Sequence, residues 1–316
     1  MSYRLRQYRF GMDILSEVLA TARTGSPASG MFVRHAPWGR AYPRIEGAGF
    51  HVVLRGSCWL TRPEADPIAL GAGDAVFMPR GIAHGLVDQP GTALSETAGP
   101  ADVRHVDGPG AAAVLLCGSY QLAADRTHPM LAELPEVVHI PARLGAHPAL
   151  RATVELLADE LSDTRPGSDA AVPPLLELLL LYILRAWLSD AAAHEISGWA
   201  AAFVDPGISA ALRCIHEDPS RGWTVESLGT RAGLSRAAFA KRFTALVGEP
   251  PLAYLTRWRM ITAVRLLRDT AAPLAVIARN TGYGSEYAFS KAFKREYGTA
   301  PGQYRNSAGD VLLAGT

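Results

Sequence analysis

From about residue 30 to 125 the chain runs in short apolar stretches separated by Gly and Pro turns. Phe50-His-Val-Val-Leu54, Ser57-Cys-Trp-Leu60, Ala75-Val-Phe-Met78 and Ala113-Val-Leu-Leu-Cys117 are the clearest. Runs of this length between turn residues predict the strands of an antiparallel barrel or sandwich. From 147 to 194 the spacing becomes helical, with Leu150, Val154, Leu157 and Leu161 on one face. The run Leu175 to Leu188 follows Pro173-Pro174 and contains Glu177 and Arg185. It is shorter than the roughly 20 residues that span a bilayer, which predicts a helix that is buried or forms a dimer. Gly198, Pro206 and Gly207 then mark a hinge.

Beyond the hinge the pattern predicts about seven helices. The first covers about 207 to 217 and stops before Pro219. Thr224 caps a short helix that Gly233 ends, and Ser235 caps the next. A short helix, a turn with Gly and a second helix make a helix-turn-helix. Pro251 opens a longer helix to about Leu267, and Pro273 opens a second copy of the unit, with Gly282 as its stop and Ser285 to Tyr297 as its second helix. The copies repeat in sequence at a fifty-residue step. Ser235, Ala238, Phe239, Lys241, Phe243, Gly248, Pro251 and Tyr254 recur as Ser285, Ala288, Phe289, Lys291, Phe293, Gly298, Pro301 and Tyr304. Phe239, Phe243 and Val247, like Phe289, Phe293 and Tyr297, are spaced i, i+4, i+8 and anchor one stripe of each helix in a core. The opposite stripe offers Arg236, Ala237, Ala240, Lys241 and Thr244 in the first copy, and Glu286, Tyr287, Ser290, Lys291 and Lys294 in the second.

Charge separates the two halves. Residues 1 to 204 hold 16 Arg against 21 acids, whereas residues 205 to 316 hold 15 Lys or Arg against 9 acids, so −5 is joined to +6. All three lysines, Lys241, Lys291 and Lys294, lie in the repeat. A basic module with two helix-turn-helix units points to double-stranded DNA read in two successive grooves. Lys donates to guanine or phosphate oxygens, Ser and Thr to several base edges, and Glu accepts from cytosine. Cys58, Cys117 and Cys214 form an odd, widely spaced set that argues against a secreted disulfide framework. Asp13 and Glu17 break the N-terminal apolar stretch, unlike a signal peptide, so a cytoplasmic protein without a membrane partner is expected.

Residues of about 207 to 306 resemble the DNA-binding domain of AraC/XylS-type transcriptional regulators. The signature is Ile277-Ala278, Thr281-Gly282-Tyr283, Phe289-Ser-Lys-Ala-Phe-Lys-Arg295, Tyr297-Gly298 and Pro301. The resemblance implies base contacts from Ala237, Ala240 and Lys241, and from Glu286, Tyr287, Ser290 and Lys291. Alanines contact thymine methyls but cannot donate, so the second copy is expected to set more of the hydrogen-bonded sequence choice.

Gly73-Asp-Ala-Val-Phe-Met-Pro79-Arg-Gly81-Ile-Ala-His84 is similar to the second motif of cupin barrels. The first motif is degraded: His51 stands at its leading His, Val53 replaces the second His and Cys58 its Glu, which argues against an intact metal enzyme. Two readings stay open. In one, His51 and His84 line an apolar effector pocket with walls drawn from Trp38, Phe50, Trp59, Phe77 and Met78, while Cys58 and Cys117 are buried hydrophobes. In the other, His51, Cys58, His84 and Cys117 form a nitrogen and thiolate site suited to zinc. Arg55 and Arg80 are candidate carboxylate partners.

The expected architecture is thus an α+β multidomain protein. A cupin-like antiparallel β-barrel with flanking helices covers 1–140, and a helical dimerisation or linker region covers 141–204. An all-α domain with two helix-turn-helix units covers 205–307, and a flexible tail covers 308–316. The expected function is a one-component, effector-responsive transcription regulator, a homodimer that acts on DNA with RNA polymerase as a further partner. The rivals are a zinc- or redox-responsive regulator, a cupin enzyme with a helical appendage and a nonspecific architectural DNA binder.

Overall fold

A computed structural model of the chain describes residues 13–22, 27–94, 96–97, 105–106, 108–122, 128–143, 145–162, 165–193 and 198–306. The expected tail at 308–316 lies outside them. The chain divides into two compact units, 22–194 and a second one made of 1–21 with 195–316. The expected division was in three parts. Residues 141–194 fall in the same unit as the strands before them, and 195–204 in the other.

In the unit of 22–194 the described strands are β1 Ala28–His35, β2 Gly39–Tyr42, β3 Ala48–Arg55, β4 Ser57–Arg62, β5 Ala65–Gly71 and β6 Ala75–Met78. They continue as β7 His84–Val87, β8 Glu96–Thr97, β9 His105–Val106, β10 Ala112–Tyr120 and β11 Val138–Ile140. They form a six-stranded sheet, β11-β6-β3-β10-β1-β9, and a five-stranded sheet, β5-β4-β7-β2-β8. The expected barrel is therefore two largely antiparallel sheets that do not close on each other. Their inward faces share a core of Trp38, Val53, Leu60, Leu70, Val76, Leu86 and Leu115, since every second residue of a strand faces one side.

Two longer helices follow the short helix α2 Pro129–Ala132: α3 Pro148–Ser162 and α4 Ser168–Ala193 (α1 is Ile14–Ala22, described below). Helix α4 begins five residues before Pro173 and carries both prolines inside its first turns. At 26 residues its length no longer argues against a membrane span. One stripe of it, Leu176, Leu179, Leu180, Ile183 and Leu184, is buried, and the Leu176 carbonyl accepts a 2.8 Å hydrogen bond from the Tyr120 hydroxyl of β10.

Among the described residues the second unit has helices and no strands. Besides α1 it contains α5 Trp199–Val204, α6 Pro206–Glu217, α7 Val225–Arg231, α8 Arg236–Val247, α9 Pro251–Asp269, α10 Leu274–Asn280 and α11 Glu286–Tyr297, with helical residues again at 301–306. The expected hinge at 198–207 is largely helix α5, with Trp199 fully buried.

The presence of α1 in this unit was not foreseen. Ile14, Leu15, Val18 and Leu19 are buried, and Glu17 meets His216 at 2.6 Å from Nδ1. The other ring nitrogen of His216 lies 2.6 Å from the Tyr254 hydroxyl, and the ring stacks on Trp258 at 3.8 Å. Burial pushes the Glu17 carboxyl up to about 7 and pulls His216 down to about 3. A carboxyl raised on folding contributes stability at low pH that is lost as pH rises through about 7. A histidine lowered on folding contributes in the opposite sense, with its share lost as pH falls from 6.5 towards about 3. Over the range they share the two slopes offset each other. Glu17→Gln removes only the first, so the gap in Tm between this variant and the wild type is expected to narrow from pH 5 to pH 8. A gap that is constant or widens would contradict the assignment.

Candidate nucleic-acid interface and sensing cavity

The sequence repeat becomes a structural repeat. Ser235 and Ser285 cap α8 and α11, their hydroxyls accepting from Ala238 N at 3.3 Å and Ala288 N at 3.1 Å. Gly233 and Gly282 make the turns at φ +69° and +78°, the left-handed region that a side chain disfavours. In each turn an amide returns to a carbonyl five residues back, Leu234 to Gly229 at 2.9 Å and Tyr283 to Ala278 at 2.8 Å. The buried phenylalanine pairs match closely. Phe239 and Phe243 lie 5.5 Å apart at 57°, and Phe289 and Phe293 lie 5.7 Å apart at 56°.

Anchoring those stripes turns the others to solvent. Arg236, Ala237, Lys241 and Thr244 are exposed and Ala240 is half-buried; Glu286, Tyr287, Lys291 and Lys294 are exposed and Ser290 is half-buried. Tyr287 is 78% exposed, unusually open for a large aromatic. Arg242, beside Lys241, turns instead to an ion pair with Asp205, whose other oxygen caps α6 through Ile208 N at 2.8 Å. Helix α9 spans 19 residues, about 28 Å, against about 34 Å between major-groove faces on one side of a duplex.

The β unit holds a cavity of about 320 Å³ whose walls include Phe32, Arg40, Tyr42, Ile45, His51, Ile82, His84 and Cys117. Both sheets supply its polar residues, His51 and Cys117 standing opposite each other on β3 and β10, and Tyr42 and His84 on β2 and β7. His84 Nδ1 donates to the Ile82 carbonyl at 2.8 Å. Its Nε2 is then an acceptor, and His51 Nε2, 2.7 Å away, must donate to it. His51 Nδ1 is left buried without a partner. Tyr42 stacks on His84 at 4.9 Å and meets His51 edge-on at 4.7 Å; its hydroxyl is 3.7 Å from Cys117 Sγ. Burial lowers both imidazoles, in His51 helped by the charges of His84 and Arg40, so both are neutral near pH 7.

Residues 13–189 match the family described as Cupin, and residues 228–307 match the family described as Helix-turn-helix domain. A putative AraC-like transcription regulator of Streptomyces lividans is 37% identical over 300 residues, covering 93% of this chain and 98% of that protein. The chain belongs to the AraC-like transcription regulators. The HTH-type transcriptional regulator MtrA of Neisseria gonorrhoeae is 30% identical, with 94% and 99% covered. Among solved structures, the DNA-binding domain of AdpA in complex with a target DNA matches 33% of this chain and 92% of that one, at 31% identity and a TM-score of 0.31.

This AraC-like regulator is therefore a helix-turn-helix DNA-binding protein and not a cupin enzyme. Its cavity differs from the expected one. Of the residues expected to line it, His51 and His84 do so; Trp38, Phe50, Trp59 and Phe77 do not. Strand alternation is the reason. His51 and Val76 face the interior, so Phe50 and Phe77 face the other side of the sheet, where both rings pack on Tyr120 at 5.2 and 6.3 Å. Cys58 and Leu60 point into the core, which turns Trp59 away, and Trp38 is part of the core itself. Arg55 is exposed, and Arg80 donates to the Leu134 carbonyl at 3.0 Å, so neither serves the cavity. Sequence reasoning missed Phe32, Arg40 and Tyr42. The one available signal was the alternation Arg40-Ala-Tyr42 between Pro37 and Pro43.

The residues do not fit the four-ligand zinc site either. Zinc requires three or four donors converging at about 2.0–2.3 Å. Among the described residues no three His, Cys, Asp or Glu side chains are so grouped. His51 and His84 meet, but Cys58 is sealed in the core opposite Leu70. Burial pushes the thiols of Cys58 and Cys117 up to about 12, the state of inert structural cysteines.

Proposed function

We propose that this regulator is a one-component, cytoplasmic switch in which a small molecule held in the cavity of the β unit changes how the C-terminal unit engages its operator. The DNA contacts are assigned to Arg236, Ala237, Ala240, Lys241 and Thr244, and to Glu286, Tyr287, Ser290, Lys291 and Lys294. The observation that carries the effector reading is a cavity of ligand size walled by both sheets, with neutral histidines beside aromatic and aliphatic groups. Control requires an effector that binds two states with different affinity, which a homodimer translates into altered pairing of its DNA units. RNA polymerase is the partner through which a bound operator becomes a change in transcription.

Ile82→Trp, which fills the cavity, tests this reading in cells grown on a panel of carbon sources. Operator occupancy is expected to vary with the source in the wild type and to stay at one level in the variant. Occupancy that varies equally in both would contradict an effector held in this cavity.

A zinc input is a second reading, favoured only by the 2.7 Å approach of His51 and His84. Metal analysis of protein purified without added zinc decides it. One zinc per chain that is lost in His84→Ala would favour it, and a stoichiometry near zero would remove it.

A further inference from the structure

Arg40 is only 6% exposed. It stands on β2 two residues before Tyr42, its guanidinium 5.1 Å from the centre of the Phe32 ring and 5.5 Å from that of Tyr42. Stacking on aromatic rings satisfies the faces of a guanidinium but not its edge, where five N–H donors require acceptors in the plane. Arg40 Nε is buried without a partner, and no hydrogen bond or ion pair to this side chain occurs among the described residues. By register Glu96 stands opposite Arg40 on β8; among the described side chains the cation is uncompensated, which is among the most costly arrangements in a protein interior.

The cavity supplies no relief of its own, because none of its lining residues is Asp or Glu. One more buried orphan that can donate, Ser29 Oγ, belongs to a residue of the same wall, whereas His51 Nδ1, left an acceptor by the tautomer above, calls for a donor instead. A positive charge and unmet donors, Arg40 Nε and Ser29 Oγ, therefore stand at one side of a largely apolar space. A neutral apolar effector would leave the guanidinium and the hydroxyl unmet, and a cation would be repelled by Arg40.

We propose that the effector is a small organic acid whose carboxylate binds the edge of Arg40 and whose apolar body lies against Phe32, Ile45 and Ile82. The inference rests on the effector reading above and specifies its chemistry. At about 320 Å³ the cavity is at the small end of the ~300–1,000 Å³ typical of ligand sites, which favours a short aliphatic or single-ring acid. Arginine suits the task because its fork matches the two carboxylate oxygens.

The experiment uses the full chain with benzoate, butyrate and hexanoate as probes and benzamide as the uncharged match, read by the rise in Tm on titration. At least one acid is expected to give a saturable rise, of about 2–4 °C at roughly ten times its Kd. Benzamide is expected to give at most a much smaller one. In Arg40→Met, which replaces the unpaired charge by an apolar side chain of similar length, the apparent affinity for that acid is expected to fall about tenfold or more. Equal responses to benzoate and benzamide, or an acid response retained in Arg40→Met, would overturn the carboxylate assignment and leave an effector cavity standing. No response to any of the three acids would overturn it as well. The effector reading falls on a different result, the occupancy test with Ile82→Trp.

Discussion

Phe289→Ala is expected to destabilise the C-terminal unit by about 3–5 kcal/mol, the cost of removing a fully buried ring from a packed core. Phe289 is completely buried, with Phe293 at 5.7 Å and Tyr283 at 5.8 Å. It belongs to a cluster with Met260, Val264, Ile277 and Ala278 that ties α11 to α9 and α10. Small domains are stable by only about 5–15 kcal/mol, so the loss is a large share of the total, and DNA binding should fail with it at growth temperature. Tyr287→Ala, on the same helix but 78% exposed, provides the contrast: its Tm should stay close to the wild type while operator affinity falls. Thermal melts followed by circular dichroism check both. A change below about 1 kcal/mol for Phe289→Ala would mean that the ring does not anchor the second reading helix.

The second large effect concerns DNA. Lys241 and Lys291 occupy the same place in the two copies and both are exposed. Each alanine substitution is expected to weaken operator binding by about 1–3 kcal/mol where the lysine contacts a base. Being on separate helices, the two losses should add to about 2–6 kcal/mol in the double variant. Where a lysine meets only phosphate, the loss should be uniform across sequences and the salt slope should fall by about one. The copies should also differ: Lys291→Ala is expected to relax sequence preference more than Lys241→Ala, since Glu286, Tyr287 and Ser290 surround it where the first copy has Ala237 and Ala240. Gel shifts of folded protein at two salt concentrations check this, and unchanged affinity in both single variants would defeat the assignment of the reading faces.

The DNA unit was legible in the sequence because its determinants are local. Caps at Ser235 and Ser285, glycines that must take positive φ, and phenylalanines four residues apart specify helix ends and buried faces within a few residues of themselves. The cavity was not legible in this way. A shift of one residue in strand register sends every side chain to the opposite face, and the aromatic residues that caught attention, Phe50, Phe77 and Trp59, all fall on the far side of that choice. Arg40 and Tyr42 were hidden by the brevity of β2, four residues with no apolar run. The attachment of α1 to the DNA unit had no sequence signal either, since Glu17 and His216 are 199 positions apart and only packing brings the carboxyl to a buried imidazole. Cys58, grouped with the histidines by its place in the motif, is put by alternation in the core opposite Leu70, away from the His51–His84 contact.

The claim that two unequal helices of one unit read one operator is tested most directly by selection from a random duplex pool with the full chain, wild type and Lys291→Ala in parallel. Two blocks of preferred bases, centred about one helical turn (10–10.5 bp) apart, are expected, and the more restrictive block should lose its preference in Lys291→Ala. A pool that emerges without sequence preference, or with a single block that Lys291→Ala leaves intact, would contradict the account.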